Sequence, residues 1–442
     1  MTAPPESRDP SHPGRIASYA EAATLVEHQP LRQRLELIAP LVEARLRGPG
    51  ALHRRVLASA MEREVEMLDP ATGRTRKMLM FGSNNYLGLA NHPHVRERVI
   101  KAIERYGPGL GATPLIGGYT DLHRELEARL SELKRAEDTI IFSSGYTANM
   151  AVLRTLPNRR DVIVADQSVH ASVADGLRGG SQKRVLWFRH NDVSDLQRVL
   201  DRHVPDHEQD VFVAIEGVYS MEGDIAPLAE IVSLCRARKA ITILDDAHGD
   251  GVMGAHGRGT PEHCGVEGQL DVVVGTFSKA FASVGGFVSG TRAMVDYLRA
   301  FARAYMFSTS PPPVVLATVL GGLEVLEREP ERITALHDNS RYVAQRLRHI
   351  GVRVDSEGAI IPLKIPSGID IRDMGRRFQD AGLFMNAIEY PAVSLKAQQF
   401  RIDIMATHTR ADLDRLVDTI AQVGAHVGLL GVAPPHSAGR GQ

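Results

Sequence analysis

The 442-residue chain has little of several features that define large classes of proteins. Its two cysteines, Cys235 and Cys264, have neither a CxxC nor a Cys/His ligand spacing, which argues against a disulfide framework or a structural zinc site. Aromatic residues make up only 5% of the chain, and 52 Lys and Arg meet 53 Asp and Glu. Because no overall basic field exists, neither nucleic acid nor anionic lipid is expected as a partner. We expect a reducing, cytoplasmic setting and no metal site.

Long apolar runs and low-complexity tracts are missing as well. The longest uncharged apolar run, near Pro311–Leu323, is shorter than the roughly 20 residues that cross a bilayer, so no transmembrane segment is expected. The prolines at its start predict a buried helix after a turn. The first fifteen residues hold four prolines and no apolar stretch, which predicts a flexible tail rather than a signal peptide. The 40 glycines form separate clusters, and each cluster needs a local reason.

Short β-like runs alternate with helical patterns through the middle of the chain. This alternation predicts an α/β fold with a mostly parallel central sheet and helices on both faces. Ligands of such sheets bind at the carboxyl ends of the strands. The predicted strands are residues 78–81, Thr139–Phe142, Asp161–Ala165, Val185–Phe188, Val211–Ile215, Ile241–Leu244 and Asp271–Gly275, and the predicted helices include Asp121–Lys134, Tyr146–Leu156 and Leu228–Lys239.

The pattern changes at both ends of this region. Residues 1–80 are interpreted as an N-terminal tail and helical extension, with mostly helical structure over Leu31–Met61. Residues 81–326 form a large domain, residues 327–425 a smaller α+β domain, and residues 426–442 a flexible tail. In the smaller domain we expect helices over Glu327–His349, Ile371–Ala381 and Arg410–Val423, and strands over Ala359–Lys364 and Phe400–Met405.

Two predicted strands deliver residues with distinctive chemistry to their carboxyl ends. Lys279 follows Thr276-Phe277-Ser278, and partial burial there would lower its pKa and free an amine for Schiff-base chemistry. Most lysines, however, are solvated surface charges. Asp245 ends another strand, where a carboxylate can pair with the protonated ring nitrogen of pyridoxal phosphate. His248 could reach the phenolic oxygen of that ring. A purely structural role, with an N-cap aspartate and a histidine in a turn, is equally consistent with this sequence.

Two further predicted strand ends carry residues that could bind the same cofactor. The turn from Ser144 to Asn149 joins a strand to a helix and could present free backbone N–H groups to a phosphate, or be an ordinary turn. It lacks the P-loop pattern of nucleotide-binding proteins. His170 also follows a strand and could stack on a flat ring, although a lone histidine is more often structural. Glycines between Gly107 and Gly118 form either a flexible loop or a close approach to a ligand.

Taken in order, these motifs resemble one family. The chain is similar to the α-oxoamine synthases, a pyridoxal-phosphate group of the fold-type I aminotransferase superfamily, from about Phe81 to Val423. The family includes 8-amino-7-oxononanoate synthase, 2-amino-3-ketobutyrate CoA ligase, serine palmitoyltransferase and 5-aminolevulinate synthase. The matching segments are residues 84–89, Ser144-Gly145-Tyr146, His170-Ala171-Ser172, residues 216–224, Asp245-Asp246-Ala247-His248-Gly249, Gly257-Arg258-Gly259, Thr276-Phe277-Ser278-Lys279 and Phe307-Ser308-Thr309-Ser310.

The resemblance implies the fold-type I aminotransferase-like fold, bound pyridoxal 5'-phosphate, and a homodimer with sites at the subunit interface. Lys279 would form the Schiff base and move protons, Asp245 would pair with the ring nitrogen, and His170 would stack on the ring. By the same resemblance, Asn85 would lie near the amino acid and Arg401 would clamp its carboxylate, a task that suits a planar guanidinium. The remaining cofactor contacts implied are Ser144, Gly145, Tyr146, Ser220, His248, Thr276, Ser278 and, toward the neighbouring subunit, Thr309.

The implied reaction is a decarboxylative condensation. Lys279 would remove the Cα proton of a small amino acid, and the carbanion would attack an acyl thioester and expel its thiol. Loss of CO2 would then yield an α-amino ketone. Two alternatives stay open: a fold-type I aminotransferase, and a non-catalytic partner subunit of a long-chain-base synthase, although such subunits lack the Schiff-base lysine that Lys279 supplies.

Several segments depart from the family pattern. The loop over residues 109–118 contains Pro114-Leu115, which makes it more apolar and stiffer than we expect. Residues 387–391 and 403–405, which flank Arg401, match no single member closely. The amino acid, the acyl chain, the choice between acyl-CoA and an acyl carrier protein, the pathway and the role of the extension therefore stay open.

Overall fold

The N-terminal part is less helical than its pattern predicts. The computed structural model describes residues 19–46, 51–69, 72–178, 184–203, 209–390, 392–394 and 396–429, so the predicted tail at residues 1–15 lies outside the described residues. The helical prediction for Leu31–Met61 is wrong over residues 51–61, which contain turns and the short strand Val56–Leu57. Val65 and Met67 alternate with more exposed residues, which is the two-residue period of a strand. The elements are α1 (Tyr19–Val26), α2 (Leu31–Leu46), β1 (Val56–Leu57), β2 (Glu64–Leu68) and β3 (Thr75–Met80).

The middle of the chain alternates strands and helices as predicted. The predicted strands and helices all occur, with ends that differ by one or two residues, and β10 is an additional strand. The elements are α3 (Pro93–Tyr106), α4 (Asp121–Lys134), β4 (Asp138–Phe142), α5 (Gly145–Thr155), β5 (Val162–Asp166), α6 (Ala171–Arg178), β6 (Arg184–Phe188), α7 (Val193–His203), β7 (Val211–Glu216), α8 (Leu228–Ala237), β8 (Ile241–Asp245), α9 (Thr260–His263), β9 (Val272–Thr276), β10 (Gly286–Gly290), α10 (Arg292–Phe301) and α11 (Arg303–Met306).

These strands form one seven-stranded sheet in the order β4-β10-β9-β8-β7-β5-β6. Only β10 runs antiparallel to its neighbours. Both faces are covered, because alternate residues of β5 enter different cores. Ile163 packs with Val152 of α5 on one face, and Val164 packs with Leu196 of α7 on the other. The predicted mostly parallel sheet with helices on both faces is confirmed.

The C-terminal part is a smaller α+β arrangement, as expected. The apolar run near Pro311–Leu323 forms the buried helix α12, and the predicted helix over Glu327–His349 is interrupted at Pro330. Its last helix extends through Val427, and residues 430–442 of the predicted tail lie outside the described residues. The elements are α12 (Pro313–Arg328), α13 (Glu331–His349), β11 (Ile360–Lys364), α14 (Ile371–Asp380), β12 (Leu383–Phe384), β13 (Asn386–Ile388), β14 (Gln399–Asp403) and α15 (Arg410–Val427).

Two smaller sheets join the parts of the chain. Strand β12 pairs in parallel with β3, so the N-terminal hairpin β2–β3 and the C-terminal part share one sheet. Strands β11, β14 and β13 form an antiparallel sheet with β14 in the middle. In the described part of the chain, no helix combines the length and the apolar character needed to cross a membrane.

The topology gathers the predicted residues at one edge of the large sheet. Strands β4, β5, β7, β8 and β9 point the same way, so their carboxyl ends lie side by side. Gly145, His170, Ser220 and Lys279 follow four of these ends, and Asp245 is the last residue of β8. The sheet edge is therefore the candidate active site.

Candidate active site

The carboxylate of Asp245 is held at the end of β8 by two donors. Its Oδ2 accepts a hydrogen bond from Nδ2 of Asn149 (2.6 Å), and its Oδ1 accepts one from the backbone N–H of Ala247 (3.1 Å). The same amide nitrogen of Asn149 donates to Oγ of Ser172 (2.9 Å), and that oxygen lies 2.7 Å from Nδ1 of His170. One hydrogen-bond path therefore joins Asp245 to His170, which the sequence places on separate segments.

Lys279 lies in the turn after β9, and its pKa is shifted by burial and by neighbouring charges. Burial lowers the pKa of its ammonium to about 8, Asp245 opposes this shift, and Arg401 adds to it. An amine with this pKa is substantially neutral close to physiological pH, whereas an ordinary lysine is almost fully protonated. Lys279 can therefore act as a nucleophile and as a base.

His248 is buried and faces a tyrosine of the N-terminal segment. Its Nδ1 lies 2.9 Å from the hydroxyl of Tyr86, and that hydroxyl accepts from Nη2 of Arg401 (3.1 Å). Burial lowers the pKa of His248 well below its usual value, and the charges of Lys279 and Arg401 add to this shift. The imidazole is therefore neutral at physiological pH; Nδ1 is engaged by Tyr86, and Nε2 makes no hydrogen bond to a residue in the described part of the chain.

Arg401 sits on β14, and its guanidinium is anchored from two directions. Nε donates to Oδ1 of Asp403 (3.0 Å), and Nη2 donates to Oδ1 of Asn84 (2.5 Å) as well as to Tyr86. Burial acts to lower the pKa of Arg401, but Asp403 and Tyr86 raise it, so the group stays charged. Nη1 makes no hydrogen bond to any residue that the structure describes, which leaves it available to a carboxylate.

The start of α5 forms a cradle between two strands. A Cβ atom at Gly145 would lie 2.8 Å from Oγ1 of Thr276, so the helix start packs directly on β9. Ser144 caps the helix by accepting from a backbone N–H of the first turn (3.0 Å). The hydroxyl oxygens of Thr276 and Ser278 lie 3.0 Å apart beside this turn. Together with the N–H groups of Gly145 and Tyr146, they suit an anion.

Three predicted residues do not join this network. Within the described ranges, neither Ser220, in the turn after β7, nor Thr309, which is exposed after α11, makes a hydrogen bond to another predicted residue. Asn85 is buried, and its amide serves the local backbone: Oδ1 accepts from the N–H of Ala90 (3.2 Å). The neighbouring Asn84, rather than Asn85, contacts Arg401.

Comparison with known proteins agrees with this architecture. The family model "Aminotransferase class I and II" matches residues 76–420. An 8-amino-7-oxononanoate synthase from Symbiobacterium thermophilum is 38% identical over 356 residues, which cover 80% of this chain and 90% of that protein. The chain belongs to the α-oxoamine synthase group of this family. The resemblance stated from the sequence is thereby confirmed.

Solved structures of two relatives also superpose on this α-oxoamine synthase. Serine palmitoyltransferase from Sphingomonas wittichii has a TM-score of 0.83 and 32% identity, and the match covers 92% of this chain and 99% of that chain. Serine palmitoyltransferase from S. paucimobilis, with a bound PLP–myriocin aldimine, also has a TM-score of 0.83, at 31% identity over 89% of this chain and 99% of that chain. The fold-type I aminotransferase fold of the α-oxoamine synthase is confirmed.

Sequence reasoning missed one buried carboxyl of this α-oxoamine synthase. Glu216 is the last residue of β7, pairs in register with Asp245, and is 3% exposed. Its Oε1 has no hydrogen-bond partner in the described part of the chain. Burial raises the pKa of Glu216 well above its usual value, Asp245 adds to the shift, and Lys279 opposes it. Two carboxyl groups therefore lie side by side at the ends of adjacent strands.

The supporting partners were missed for a simpler reason. Asn84 and Tyr86 lie inside a motif that carries the family resemblance, and Asn149 closes the turn from Ser144 to Asn149, so their positions were visible in the sequence. Their roles depend on contacts across long stretches of chain, such as the 162 residues between Tyr86 and His248.

Proposed function

We propose that this α-oxoamine synthase catalyses the decarboxylative condensation of a small amino acid with an acyl thioester. The products are an α-amino ketone, CO2 and a free thiol. The observation that carries the proposal is the convergence of Asp245 and Lys279, at the carboxyl ends of β8 and β9, with Arg401 of the smaller sheet, whose charge acts on the pKa of Lys279. These three groups suit the removal of a proton next to a substrate carboxylate. Relatives named 8-amino-7-oxononanoate synthase, matched over 90% of their length, support the same reaction class.

The donor set of the site fits pyridoxal 5'-phosphate. Gly145, with no room for a side chain beside Thr276, provides a narrow cradle for the phosphate. Asp245 suits the ring nitrogen and Lys279 the aldehyde carbon. When bound, the cofactor withdraws electrons from the substrate Cα and stabilises the charge that forms there. The other proposed contacts are Ser144, Tyr146, Ser278, His248 and Ser220, with His170 on the ring face and Thr309 toward a second subunit.

The protein side chains divide the remaining work. Arg401, with Nη1 available, binds the substrate carboxylate, and Asn84 is a better candidate than Asn85 for the substrate side because it contacts Arg401. Lys279 removes a proton from Cα and returns one after CO2 is lost. His170 and Arg401 orient the substrate so that the breaking bond stays aligned. Such orientation contributes about 7–11 kcal/mol in the best cases.

The loop over residues 109–118 is proposed to contact the acyl donor and a second subunit. It packs on the segment that carries Thr309, because the N–H of Ser310 donates to the carbonyl of Ala112 (3.0 Å). Ile116 in this loop is 80% exposed, and Phe307 in the neighbouring segment is 69% exposed. Large exposed apolar side chains beside a site are typical of an interface or an apolar substrate. A homodimer with sites at its interface is therefore part of the proposal.

Three finer assignments also stay proposals. The acyl donor is acyl-CoA or an acyl carrier protein, and both thioesters belong in the activity test. The domain boundaries after residues 80, 326 and 425 are proposed from the sequence; the second lies near the change from the large sheet to the smaller one, within α12, and the third lies within α15. A cytoplasmic location is proposed from the sequence and calls for cell fractionation.

The proposed function is tested by a substrate screen. Purified enzyme with pyridoxal phosphate is mixed with glycine, alanine or serine, and with acyl-CoA or acyl carrier protein thioesters. We expect one of these amino acids to change the visible absorbance of the bound cofactor, and to release free thiol when the thioester is added. Absence of both responses with all three amino acids would contradict the proposed small substrate.

The phosphate cradle leads to a mutational prediction. Gly145→Ala places a methyl group against Thr276, and overpacking of this kind costs about 1–3 kcal/mol. We expect cofactor affinity to fall by about tenfold or more, since ~1.4 kcal/mol corresponds to a factor of ten. The matched control is Gly358→Ala, outside the site, because a Cβ atom there meets only Val218, at 4.0 Å. Equal affinity of the two variants in a fluorescence titration would remove Gly145 from the cradle.

The depressed pKa of Lys279 predicts a pH dependence in the apoenzyme. Only the neutral amine reacts with fluorodinitrobenzene, so labelling of Lys279 is expected to rise with pH, reach half its maximum at about 8 and then level off. Exposed Lys101 of α3, which pairs with Glu97 at the surface, serves as the internal control for a lysine outside the site. Peptide mass spectrometry measures both midpoints in one sample. If labelling of the two lysines reached half its maximum at the same pH, the site would not lower the pKa of Lys279.

A further inference from the structure

A buried ion cluster lies next to the turn that carries two proposed catalytic residues. It consists of Lys134, at the end of α4, with Asp246 and Asp250, and we call it the Lys134 cluster. Nζ of Lys134 lies 3.0 Å from Oδ2 of Asp246 and 2.6 Å from Oδ1 of Asp250, and it donates to the carbonyl of Arg258 (2.6 Å). The three side chains are exposed by 2%, 0% and 1%, respectively. The proposed reaction uses none of them.

The surrounding chain is shaped to hold these carboxylates. A Cβ atom at Gly249 would lie 2.0 Å from Oδ1 of Asp246, and one at Gly259 would lie 1.9 Å from its Oδ2. Oδ1 of Asp246 also accepts from the hydroxyl of Thr260 (2.6 Å). No side chain therefore fits at these two glycines without displacing the cluster. The cluster is a built feature of the fold.

The cluster and the proposed cofactor contacts share one turn. Backbone N–H groups of Gly249 and Asp250 donate to the carbonyl of Asp246 (2.8 and 2.9 Å), and the N–H of Asp246 donates to Val274 on β9 (2.8 Å). Asp245 precedes this turn, and His248 lies within it. A displacement of the Asp246 side chain would therefore move the backbone that aims both residues.

The charges are consistent with a fixed arrangement. Burial acts to lower the pKa of Lys134, but the two carboxylates outweigh it and raise that pKa, so the ammonium keeps its charge. Burial raises the pKa of Asp250 to about 7, with Lys134 opposing the shift. Within the described residues, Oδ2 of Asp250 has no hydrogen-bond partner. Removal of the ammonium would leave two buried carboxyl groups without a cation, a strongly unfavourable state.

We propose that Lys134 is a positioning residue that fixes, through Asp246 and Asp250, the turn carrying Asp245 and His248. This inference rests on the proposed function for the roles of those two residues. Its test is cofactor binding, which is measured without acyl transfer. A failure of the condensation assay would thus leave the result for Lys134 interpretable.

The main experiment compares Lys134→Met with Lys101→Met in the full-length enzyme. Lys101 is an exposed lysine of α3 whose recorded partner is Glu97. We expect Lys134→Met to weaken pyridoxal phosphate binding by about 10- to 100-fold, the size of effect that a small misplacement causes, and to shift the pH midpoint of the cofactor's visible absorbance. Lys101→Met should change neither. A lower melting temperature with unchanged affinity and midpoint would make Lys134 merely structural and overturn the proposal.

A second variant keeps the test decisive if Lys134→Met does not fold. Asp250→Asn retains the Lys134–Asp246 pair and nearly the same shape, so it is expected to fold. It should weaken cofactor binding less than Lys134→Met and shift the same absorbance midpoint, because one of the two links to the turn is neutral. The proposal would be overturned if Asp250→Asn bound the cofactor as tightly as the parent enzyme and had the same pH midpoint of its visible absorbance.

Discussion

Replacement of Lys279 by alanine is expected to lower kcat by about 10²- to 10⁴-fold, the contribution typical of a positioned base. Lys279 follows the carboxyl end of β9 at the shared sheet edge, and burial lowers its pKa to about 8. The variant loses both the covalent hold on the cofactor and the group that moves the Cα proton. The visible absorbance of the bound cofactor should therefore change along with the rate.

The measurement pairs steady-state kinetics with absorbance spectra of the reconstituted protein. Lys101→Ala provides the control, since Lys101 is exposed on α3. Its rate and spectrum should match those of the parent. A Lys279→Ala enzyme with near-parental kcat and an unchanged spectrum would contradict the role assigned to Lys279.

Arg401→Lys is expected to raise KM for the amino acid by about 10- to 100-fold, because hydrogen bonds to charged groups contribute about 1.5–3 kcal/mol. A lysine supplies one point charge and cannot reach Asp403, Asn84 and the substrate carboxylate together, as the guanidinium does. The KM for the acyl thioester should change little, since Arg401 is assigned to the carboxylate alone.

The control for this substitution is Arg105→Lys on α3. Arg105 is exposed and pairs with Asp121 at the surface. Initial rates at varied amino acid concentrations separate KM from kcat for both variants. If Arg401→Lys had the same KM for the amino acid as the parent enzyme, Arg401 would not bind the substrate carboxylate.

The large sheet was predictable because its signals are local. Each of its parallel strands is a short apolar run between helical patterns, and a strand such as Val162–Asp166 is buried on both faces. Lys279, Asp245 and His170 follow directly from such strand ends. The parallel topology then brings them together without any information about distant contacts.

The errors lie where distant contacts decide the structure. The helical prediction is wrong at Val56–Leu57 because this strand pairs with β2, whose other partner β3 pairs with β12, about three hundred residues later in the chain, where Leu79 is opposite Leu383. No local pattern encodes that partner. The break in the predicted helix over Glu327–His349 had a visible cause in Pro330, which starts a new helix.

At the substrate side of the site, the sequence selected a residue one position away from the one that contacts Arg401. The family resemblance selected Asn85, whose side chain bonds to the backbone of Ala90, whereas the adjacent Asn84 contacts Arg401. The link from His248 through Tyr86 to Arg401 spans three separate parts of the chain. Only the folded structure shows that the carboxylate clamp and the buried imidazole share one tyrosine.

The most direct test of the proposed function is a carbon and thiol balance on one turnover mixture. The amino acid found in the screen is supplied with a ¹³C-labelled carboxyl group, together with the acyl thioester, pyridoxal phosphate and enzyme. Decarboxylative condensation predicts labelled CO2, free thiol and α-amino ketone in equal amounts. A keto acid that retains the label, formed without thiol release, would contradict the account and indicate an aminotransferase instead.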